Sequence, residues 1–354
     1  MTPYLLLAIS PIVLSFGMDY LVAKKRFSER KAKKTLLLFS GILIFLFFAL
    51  RDPSIGSGDT LVYTSVMKRA IQSENWSQFY GFYDMEIGFQ FFVFLLSRVF
   101  TSPQMLLVVT AAFFAYSVCY FIYRNSDDMA LSLVLFITIC GMTFYMQGMR
   151  QAIAMSIGLF AYECVKNRKI ICFALLVVLA TFFHQTAVVL FLLYAIRFLK
   201  FNYKSFAFSA VAVVIFLLSI ERLIAIANEL FEKEYTGVFE SGGYIATAIH
   251  FLILIFAVVF NRRVRKNDSE TMLIYVALAG LVIYIARYFG VGIAERISFY
   301  FIFGQIALLP NTLQHFEQRE RVALKMIVYT LAIALSAYRL HGSNLIPYIP
   351  FWEG

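Results

Sequence analysis

The chain has 354 residues, of which 61% are hydrophobic and only 15% are charged. A soluble domain carries about 25% charged residues, and the apolar residues of this chain come in runs of the ~20 residues that cross a bilayer. The composition therefore excludes a soluble protein. It predicts an all-α polytopic membrane protein with one membrane-embedded helical domain over residues 1–354.

The net charge of +10 comes from short basic clusters that separate the apolar runs. Such clusters mark cytoplasmic loops, so they do not indicate nucleic acid as a partner. The four cysteines lie inside apolar runs, which argues against a disulfide framework. With four scattered histidines and no CxxC motif, the sequence predicts no metal site and no cofactor.

The first two apolar runs set the predicted topology. Run one, about 4–21, lacks a basic leader and a cleavage site, so we expect a retained span. The segment KKRFSERKAKK at 24–34 holds seven basic residues and one acidic residue. It predicts a cytoplasmic loop and an N-terminus outside. A second span, about 35–50, returns the chain to the outside.

The longest polar stretch follows at 51–86 and faces outside in this topology. Asp59 precedes a helical pattern that we expect to lie along the outer membrane face. If the apolar segment at 87–101 crossed the membrane, the basic cluster at 166–169 would fall outside, against the positive-inside rule. Residues 51–103 are therefore predicted to form an external loop with juxtamembrane or re-entrant helices, which protein or water can shield.

Ten further spans bring the prediction to about 12 transmembrane helices, with both termini outside. Their limits are about 104–123, 129–147, 150–165, 170–183, 186–199, 205–220, 244–260, 270–288, 296–312 and 322–339. The two runs that flank His184 are short for a ~20-residue crossing, so we expect His184 in a cavity open to the outer face. The tail at 340–354 is predicted to be interfacial.

This topology puts a set of polar residues on the outer side of the membrane. Ionisable residues at membrane depth are costly and mark functional sites by default. The planar fork of arginine matches phosphate oxygens. The set therefore predicts a site for an anionic substrate, and its members are Arg51, Asp59, Tyr63, Glu86, Arg150, His184, Arg287, Glu295 and Arg296.

Each of these residues also has a structural interpretation. Polar side chains at helix ends act as caps, complement the helix dipole or reach the membrane interface. The structural alternatives are an N-cap for Asp59, a dipole-complementing carboxylate for Glu86, interfacial side chains for Arg51 and Arg150, a structural histidine for His184, and an ion network that joins Arg287 to Glu295 and Arg296.

Five short motifs make the chain resemble a known family. The chain is similar to the EpsG family of Wzy-type polysaccharide polymerases at RDPSIGSGDTLVY (51–63), MEIGF (85–89), MRQAIAMSIGLFAY (149–162), ATFFHQTAVV (180–189) and ERISFYF (295–301). The Arg-Gln pair of the third motif, followed about thirty residues later by AxxFH, is the most specific part. The motifs occur in the same order and span most of the chain.

The resemblance implies polymerisation of lipid-linked sugar repeat units on the outer face of the bacterial cytoplasmic (inner) membrane. Such enzymes transfer a growing glycan from one undecaprenyl diphosphate carrier to a sugar hydroxyl on the next lipid-linked unit. The product is O-antigen, capsule or exopolysaccharide. The implied fold is similar to GT-C membrane glycosyltransferases. The implied partners are undecaprenyl-diphosphate-linked oligosaccharide, membrane lipid, a chain-length regulator and a flippase.

For that reaction each candidate residue receives a role. His184 is the candidate base, Glu86 is the competing candidate, and Asp59 is an orienting or acceptor-binding carboxylate. The diphosphate is assigned to Arg150, Arg296, Arg51 and Arg287, and further substrate contacts are assigned to Tyr63, Gln151, Gln185 and Tyr300. No metal takes part in this scheme.

Three other functions compete with the polymerase. A flippase or transporter of lipid-linked saccharide often shows matched halves with broken helices, and the sequence contains no visible repeat. A membrane acyltransferase that modifies exported polysaccharide would place a histidine against an acyl donor, often on the cytoplasmic side. A structural scaffold would not need Arg150 and His184 at membrane depth.

Overall fold

The structure is a computed structural model, and it describes residues 1–56, 58–140, 142–219, 222, 225–226, 229, 243–264, 266–289, 291, 293–341 and 343–353. Contacts divide the chain into two units. Unit 1 comprises Met1–Val188 and Gln318–Gly354, and unit 2 comprises Val189–Glu317. The described residues form helices without a β-strand. The prediction of one continuous domain stays a prediction.

In its described part, unit 1 consists of ten helices from the first half of the chain and the long C-terminal helix. They are α1 (Thr2–Ala23), α2 (Glu29–Ala49), α3 (Gly58–Gln72), α4 (Trp76–Phe79), α5 (Ile87–Val99), α6 (Gln104–Asn125), α7 (Met129–Thr138), α8 (Met142–Gln147), α9 (Met149–Lys166), α10 (Ile170–Phe183) and α17 (Gln318–Leu340). A 3₁₀ helix, Gln185–Phe191, leads from α10 into unit 2.

Unit 2 consists of six α-helices and a second 3₁₀ helix among its described residues. They are α11 (Leu192–Ile196), α12 (Tyr203–Leu218), α13 (Tyr244–Phe260), α14 (Asp268–Ile285), the 3₁₀ helix Ala286–Phe289, α15 (Ala294–Ile302) and α16 (Gly304–Leu313). The stretch 221–243 contains five Glu, and the topology predicted from the sequence places it outside. It falls almost wholly beyond the described residues.

Among the residues that the structure describes, five helices are long and apolar enough to cross a membrane. They are Thr2–Ala23, Glu29–Ala49, Gln104–Asn125, Asp268–Phe289 and Gln318–Leu340. Several shorter apolar helices of 10–17 residues accompany them. The class of all-helical, multi-pass membrane protein is therefore confirmed, while the count of about 12 spans and the GT-C likeness stay predictions.

Two of the predicted spans are each divided into two α-helices, and the run at 186–199 forms the 3₁₀ helix Gln185–Phe191 and α11. The run at 129–147 forms α7 and α8, and the run at 296–312 forms α15 and α16. The second break lies at Gly304, where an added Cβ would lie 3.1 Å from Val276 and 3.2 Å from the carbonyl oxygen of Leu273. The break therefore lies at a close approach to α14, which the apolar composition of the run does not reveal.

The first external loop begins and ends at the same level of unit 1. Nε2 of Gln104, at the start of α6, donates to the carbonyl oxygens of Ala49 at 2.8 Å and Arg51 at 3.0 Å. The end of α2 and the start of α6 are therefore adjacent. The juxtamembrane or re-entrant course of 87–101 stays a prediction.

Two hydrogen bonds hold the C-terminal tail at the same end of unit 1. The hydroxyl of Tyr4 donates to the carbonyl oxygen of Leu345 at 2.7 Å, and the hydroxyl of Tyr348 donates to that of Phe47 at 3.0 Å. The start of α1, the end of α2 and the tail after α17 thus lie together. The predicted topology requires this arrangement, because it places both chain termini outside.

The topology yields a direct prediction. A reporter enzyme that is active only outside the cytoplasm is expected to be inactive when fused at 28 or 264, because both positions lie in basic clusters. The same reporter fused at 75, in the first external loop, is expected to be active. Activity at 28 and 264 would contradict the topology and the outward placement of the candidate site.

Candidate active site

The carboxylate of Glu86 is the centre of a polar cluster in unit 1. Its Oε1 lies 3.0 Å from Nδ1 of His184, and its Oε2 accepts a hydrogen bond from Nη1 of Arg150. The backbone N–H of Gln185 also donates to Oε1, at 3.2 Å. The Glu86 side chain is 6% exposed, whereas those of Arg150 and His184 are about one-fifth exposed. One buried carboxylate thus joins three helix ends, those of α5, α9 and α10.

Tyr63 on α3 completes this group, which we call the Glu86 cluster (Tyr63, Glu86, Arg150 and His184). Nε of Arg150 donates to the Tyr63 hydroxyl at 3.4 Å, and the guanidinium lies 5.8 Å from the centre of the ring. Asp59 is exposed one turn earlier on α3, so it shares the helix face of Tyr63. The structure therefore brings together five of the residues predicted from the sequence.

The charge state of Glu86 follows from its neighbours. Burial raises the pKa of Glu86, but the hydrogen bond with His184 and the positive charge of Arg150 outweigh burial and lower the pKa to about 2. The carboxylate is therefore ionised at neutral pH. Because an ionised carboxylate can only accept hydrogen bonds, Nδ1 of His184 carries the proton that it shares with Glu86. In the neutral form of the ring, Nε2 is then the nitrogen that carries the free lone pair.

Gly88 explains how α5 comes so close to α10. A Cβ at this position would lie 2.6 Å from the carbonyl oxygen of Phe182, so any other residue would push the two backbones apart. Gly88 follows Glu86 by two residues, and Phe182 precedes His184 by two. The close contact between the helices therefore holds the carboxylate against the imidazole.

Gln90 fixes the loop that ends at Glu86. Its Nε2 donates to the carbonyl oxygen of Met85 at 2.7 Å, and its Oε1 accepts from the backbone N–H of Gly81 at 3.2 Å. Sequence analysis missed both Gln90 and Gly88 as site residues. The available signal was their alternation with Glu86 in the segment MEIGFQ.

Two predicted residues on unit 1 lie in other surroundings. Arg51 is buried, and its Nη1 donates to the carbonyl oxygen of Ile55 at 3.0 Å. Burial lowers the pKa of Arg51 to about 10, which leaves the guanidinium charged at neutral pH. Its backbone pairs with Pro350 of the tail, so Arg51 lies beneath the tail. Gln151 follows Arg150 on α9 and is buried.

Unit 2 contains a separate ion pair. Nη1 of Arg287 donates to Oε2 of Glu295 at 2.7 Å and to the hydroxyl of Tyr284 at 2.9 Å. The contact between Arg287 and Glu295 that the structural alternative predicts is therefore present. Arg296 is exposed and Tyr300 is buried. The assignment of these unit 2 residues to the diphosphate stays a prediction, and sequence analysis missed Tyr284.

The side chains that could hold a metal ion are those of His, Cys, Asp and Glu. Across the described part of the chain, no group of three or more His, Cys, Asp or Glu side chains could hold a metal ion. The Glu86 cluster itself offers one carboxylate and one imidazole, and both are already joined to each other.

These features define a multi-pass, all-helical membrane protein with a buried carboxylate that links an arginine to a histidine. The sequence profile of the EpsG family matches residues 34–351, nearly the whole chain, and the chain belongs to the EpsG family. EpsG proteins are Wzy-like polysaccharide polymerases, so the resemblance drawn from the five motifs is confirmed. No curated protein and no solved structure shows significant similarity to the chain.

Proposed function

We propose that the chain joins undecaprenyl-diphosphate-linked oligosaccharide repeat units into a surface polysaccharide on the outer face of the bacterial cytoplasmic membrane. Family membership supports the type of reaction, which is polysaccharide polymerisation by a glycosyltransferase-like enzyme. The observation that carries the mechanism is the Glu86 cluster. It offers a base and a cation side by side, and glycosyl transfer from a diphosphate needs both.

His184 is the general base in this proposal. Glu86 holds Nδ1 at 3.0 Å, while Nε2 makes no hydrogen bond to the residues that the structure describes. A neutral imidazole nitrogen within reach of an acceptor hydroxyl can take its proton, and we assign this role to Nε2. Glu86, with a pKa of about 2, has too little proton affinity for that task. The geometry thus favours Glu86 as the residue that orients His184, as the carboxylate of a catalytic triad orients its histidine.

Arg150 is the diphosphate-binding residue. Its Nη1 is engaged with Glu86 and its Nε with Tyr63, but Nη2 makes no hydrogen bond to the described residues. A guanidinium held by two neighbours is preorganised, so it can stabilise the charge that develops on the leaving diphosphate without first rearranging. Arginine also keeps its charge at any working pH.

In the transfer step, the oxygen of the acceptor hydroxyl forms a bond to C1 of the donor sugar. The bond from C1 to the diphosphate oxygen breaks, and its electron pair stays with undecaprenyl diphosphate. The hydroxyl proton passes to Nε2 of His184. Asp59, Tyr63 and Gln185 are assigned to orienting the acceptor, since Asp59 is exposed beside Tyr63 and Gln185 follows the base.

Deletion of the gene separates this function from transport of the lipid-linked unit. A polymerase loss leaves single repeat units on the surface acceptor, whereas loss of a flippase leaves none. We therefore expect a gel of surface glycan from the deletion strain to show single units and no ladder. A gel without glycan would contradict the proposal and favour the transporter.

The variant Gly88→Ala tests how the cluster is assembled. The added methyl would meet the Phe182 carbonyl oxygen, which belongs to the backbone and cannot rotate away. We expect α5 to shift from α10, the Glu86–His184 contact to lengthen, and the mean length of the surface polymer to fall several-fold. The control is Gly17→Ala on α1, where an added Cβ meets nothing within 4 Å. Wild-type polymer length in Gly88→Ala would contradict the proposed assembly.

A further inference from the structure

An open groove of about 430 Å³ lies between α2 and α6 in unit 1. One face of α2 lines it from Lys34 to Phe45, and one face of α6 lines it from Ala112 to Tyr123. The remaining lining side chains are apolar, aromatic or a thiol, so Lys34 is the one charged residue of the lining. The groove belongs to neither the Glu86 cluster nor the Arg287 ion pair.

Close packing at one point creates the floor of the groove. An added Cβ at Gly41 would lie 3.0 Å from Sγ of Cys119, and this thiol donates to the carbonyl oxygen of Leu37 at 3.6 Å. Along α6, the rings of Tyr116 and Tyr120 pack on Phe160 of α9, at centroid distances of 6.1 and 5.4 Å. The packing on Phe160 therefore holds the two tyrosine rings along one side of the groove, and the groove stays open.

The length of the groove matches half a membrane. Lys34 and Phe45 are eleven residues apart on α2, which corresponds to about 16 Å at 1.5 Å per residue. The hydrocarbon core of a bilayer is about 30 Å thick. The groove thus reaches from one membrane surface to about the mid-plane, which is the depth of one acyl chain.

The positive charge of Lys34, at one end of the groove, indicates which membrane surface the groove faces and which ligand it binds. Lys34 ends the basic stretch 24–34, which is predicted to be cytoplasmic, and it forms no ion pair with the described residues. Tyr123 lines the same end, as suits an aromatic side chain at the membrane interface. A basic mouth above an apolar cleft matches an anionic headgroup that carries an acyl chain.

We propose that this groove binds an anionic phospholipid of the inner leaflet, with one acyl chain between α2 and α6 and the headgroup phosphate at Lys34. Arg51 lies at the opposite end of α2, beneath the tail that is predicted to face outside. The bound phospholipid is therefore distinct from the lipid carrier that the outer-face reaction consumes. It fills a cleft that would otherwise leave the lining of α2 and α6 loosely packed.

The experiment measures how much phosphatidylglycerol the purified full-length chain retains, by native mass spectrometry and by titration in detergent. Lys34→Glu removes the phosphate contact, and its matched control is Lys33→Glu, an exposed neighbour outside the groove. Ala112→Trp fills the groove from an exposed position, and its control is Ala334→Trp, an exposed alanine on α17. Phosphatidylcholine with the same acyl chains tests the requirement for net negative charge.

We expect Lys34→Glu to weaken phosphatidylglycerol binding about fivefold or more, the effect of one basic residue near an anionic headgroup. Ala112→Trp is expected to abolish the bound species, while both controls and the wild type retain it and phosphatidylcholine binds more weakly. Equal losses in Lys34→Glu and Lys33→Glu would overturn the site, because they would show general attraction to the basic stretch. If Ala112→Trp disrupted a dimer and left lipid retention unchanged, the groove would bind a second copy of the chain. That result would overturn the proposal.

Discussion

His184→Ala is expected to reduce polymer formation by about 10²- to 10⁴-fold, the usual contribution of a general base. The imidazole is held by Glu86 at 3.0 Å, and alanine offers no group that could accept the proton of the acceptor hydroxyl. Surface glycan from cells that carry the variant should therefore shift to single or few repeat units. The variant protein should remain in the membrane at the wild-type level, because His184 is partly exposed and caps α10 through its backbone N–H, which alanine keeps.

The matched control is His341→Ala, which changes an exposed histidine after the end of α17 and should leave polymer length unchanged. Glu86→Gln separates the two candidate bases. An amide still fills the space of the carboxylate, but it neither holds a charged Arg150 nor orients the ring as strongly, so activity should fall with His184 still present. Wild-type polymer in His184→Ala together with single units in Glu86→Gln would contradict the account and make Glu86 the base.

Arg150→Lys is expected to cost about 10²-fold or more, comparable to the removal of a preorganised donor from a site where charge develops. Lysine keeps the positive charge but lacks the planar fork. It therefore cannot contact Glu86, Tyr63 and a diphosphate oxygen at once. Polymer length on gels and the rate of polymer formation in membranes would both report the loss.

The control for this substitution is Arg124→Lys at the end of α6. Arg124 pairs with Glu163 at 3.5 Å, and its side chain is about half exposed, so the conservative change should have little effect on the polymer. Lysine keeps the positive charge beside Glu163, which also accepts hydrogen bonds from Lys166 at 2.8 Å and Asn125 at 2.7 Å. Full activity in a protein that combines Arg150→Lys with Arg296→Lys would remove the diphosphate role from both arginines.

Much of the helical architecture could be predicted because membrane depth constrains composition. The predicted limits of 170–183 and 244–260 match α10 and α13, since polar or turn-forming residues bound each apolar run. The breaks at 138–142 and at Phe303 could not be predicted in this way. Hydropathy averages over a break, and the structural cause at Gly304 is a neighbouring helix that the local sequence does not contain.

The candidate site was predictable where residues are costly in a membrane. Arg150, His184 and Glu86 stand out against apolar sequence, and the structure brings all three together. The roles of Gly88 and Gln90 could not be predicted from the sequence, because they depend on which backbone carbonyl groups lie next to them in the fold. Arg51 is buried and its backbone pairs with Pro350, which its charge alone did not reveal, and its assignment to the diphosphate stays a prediction.

The most direct measurement uses the purified protein in lipid vesicles with undecaprenyl-diphosphate-linked repeat units as its substrate. The account predicts a ladder of longer saccharides and the release of one undecaprenyl diphosphate for each new linkage. In His184→Ala, the ladder and the release should both be lost. Release without a ladder, a ladder of equal length from His184→Ala, or movement of the lipid-linked unit across the membrane without any new linkage would contradict it.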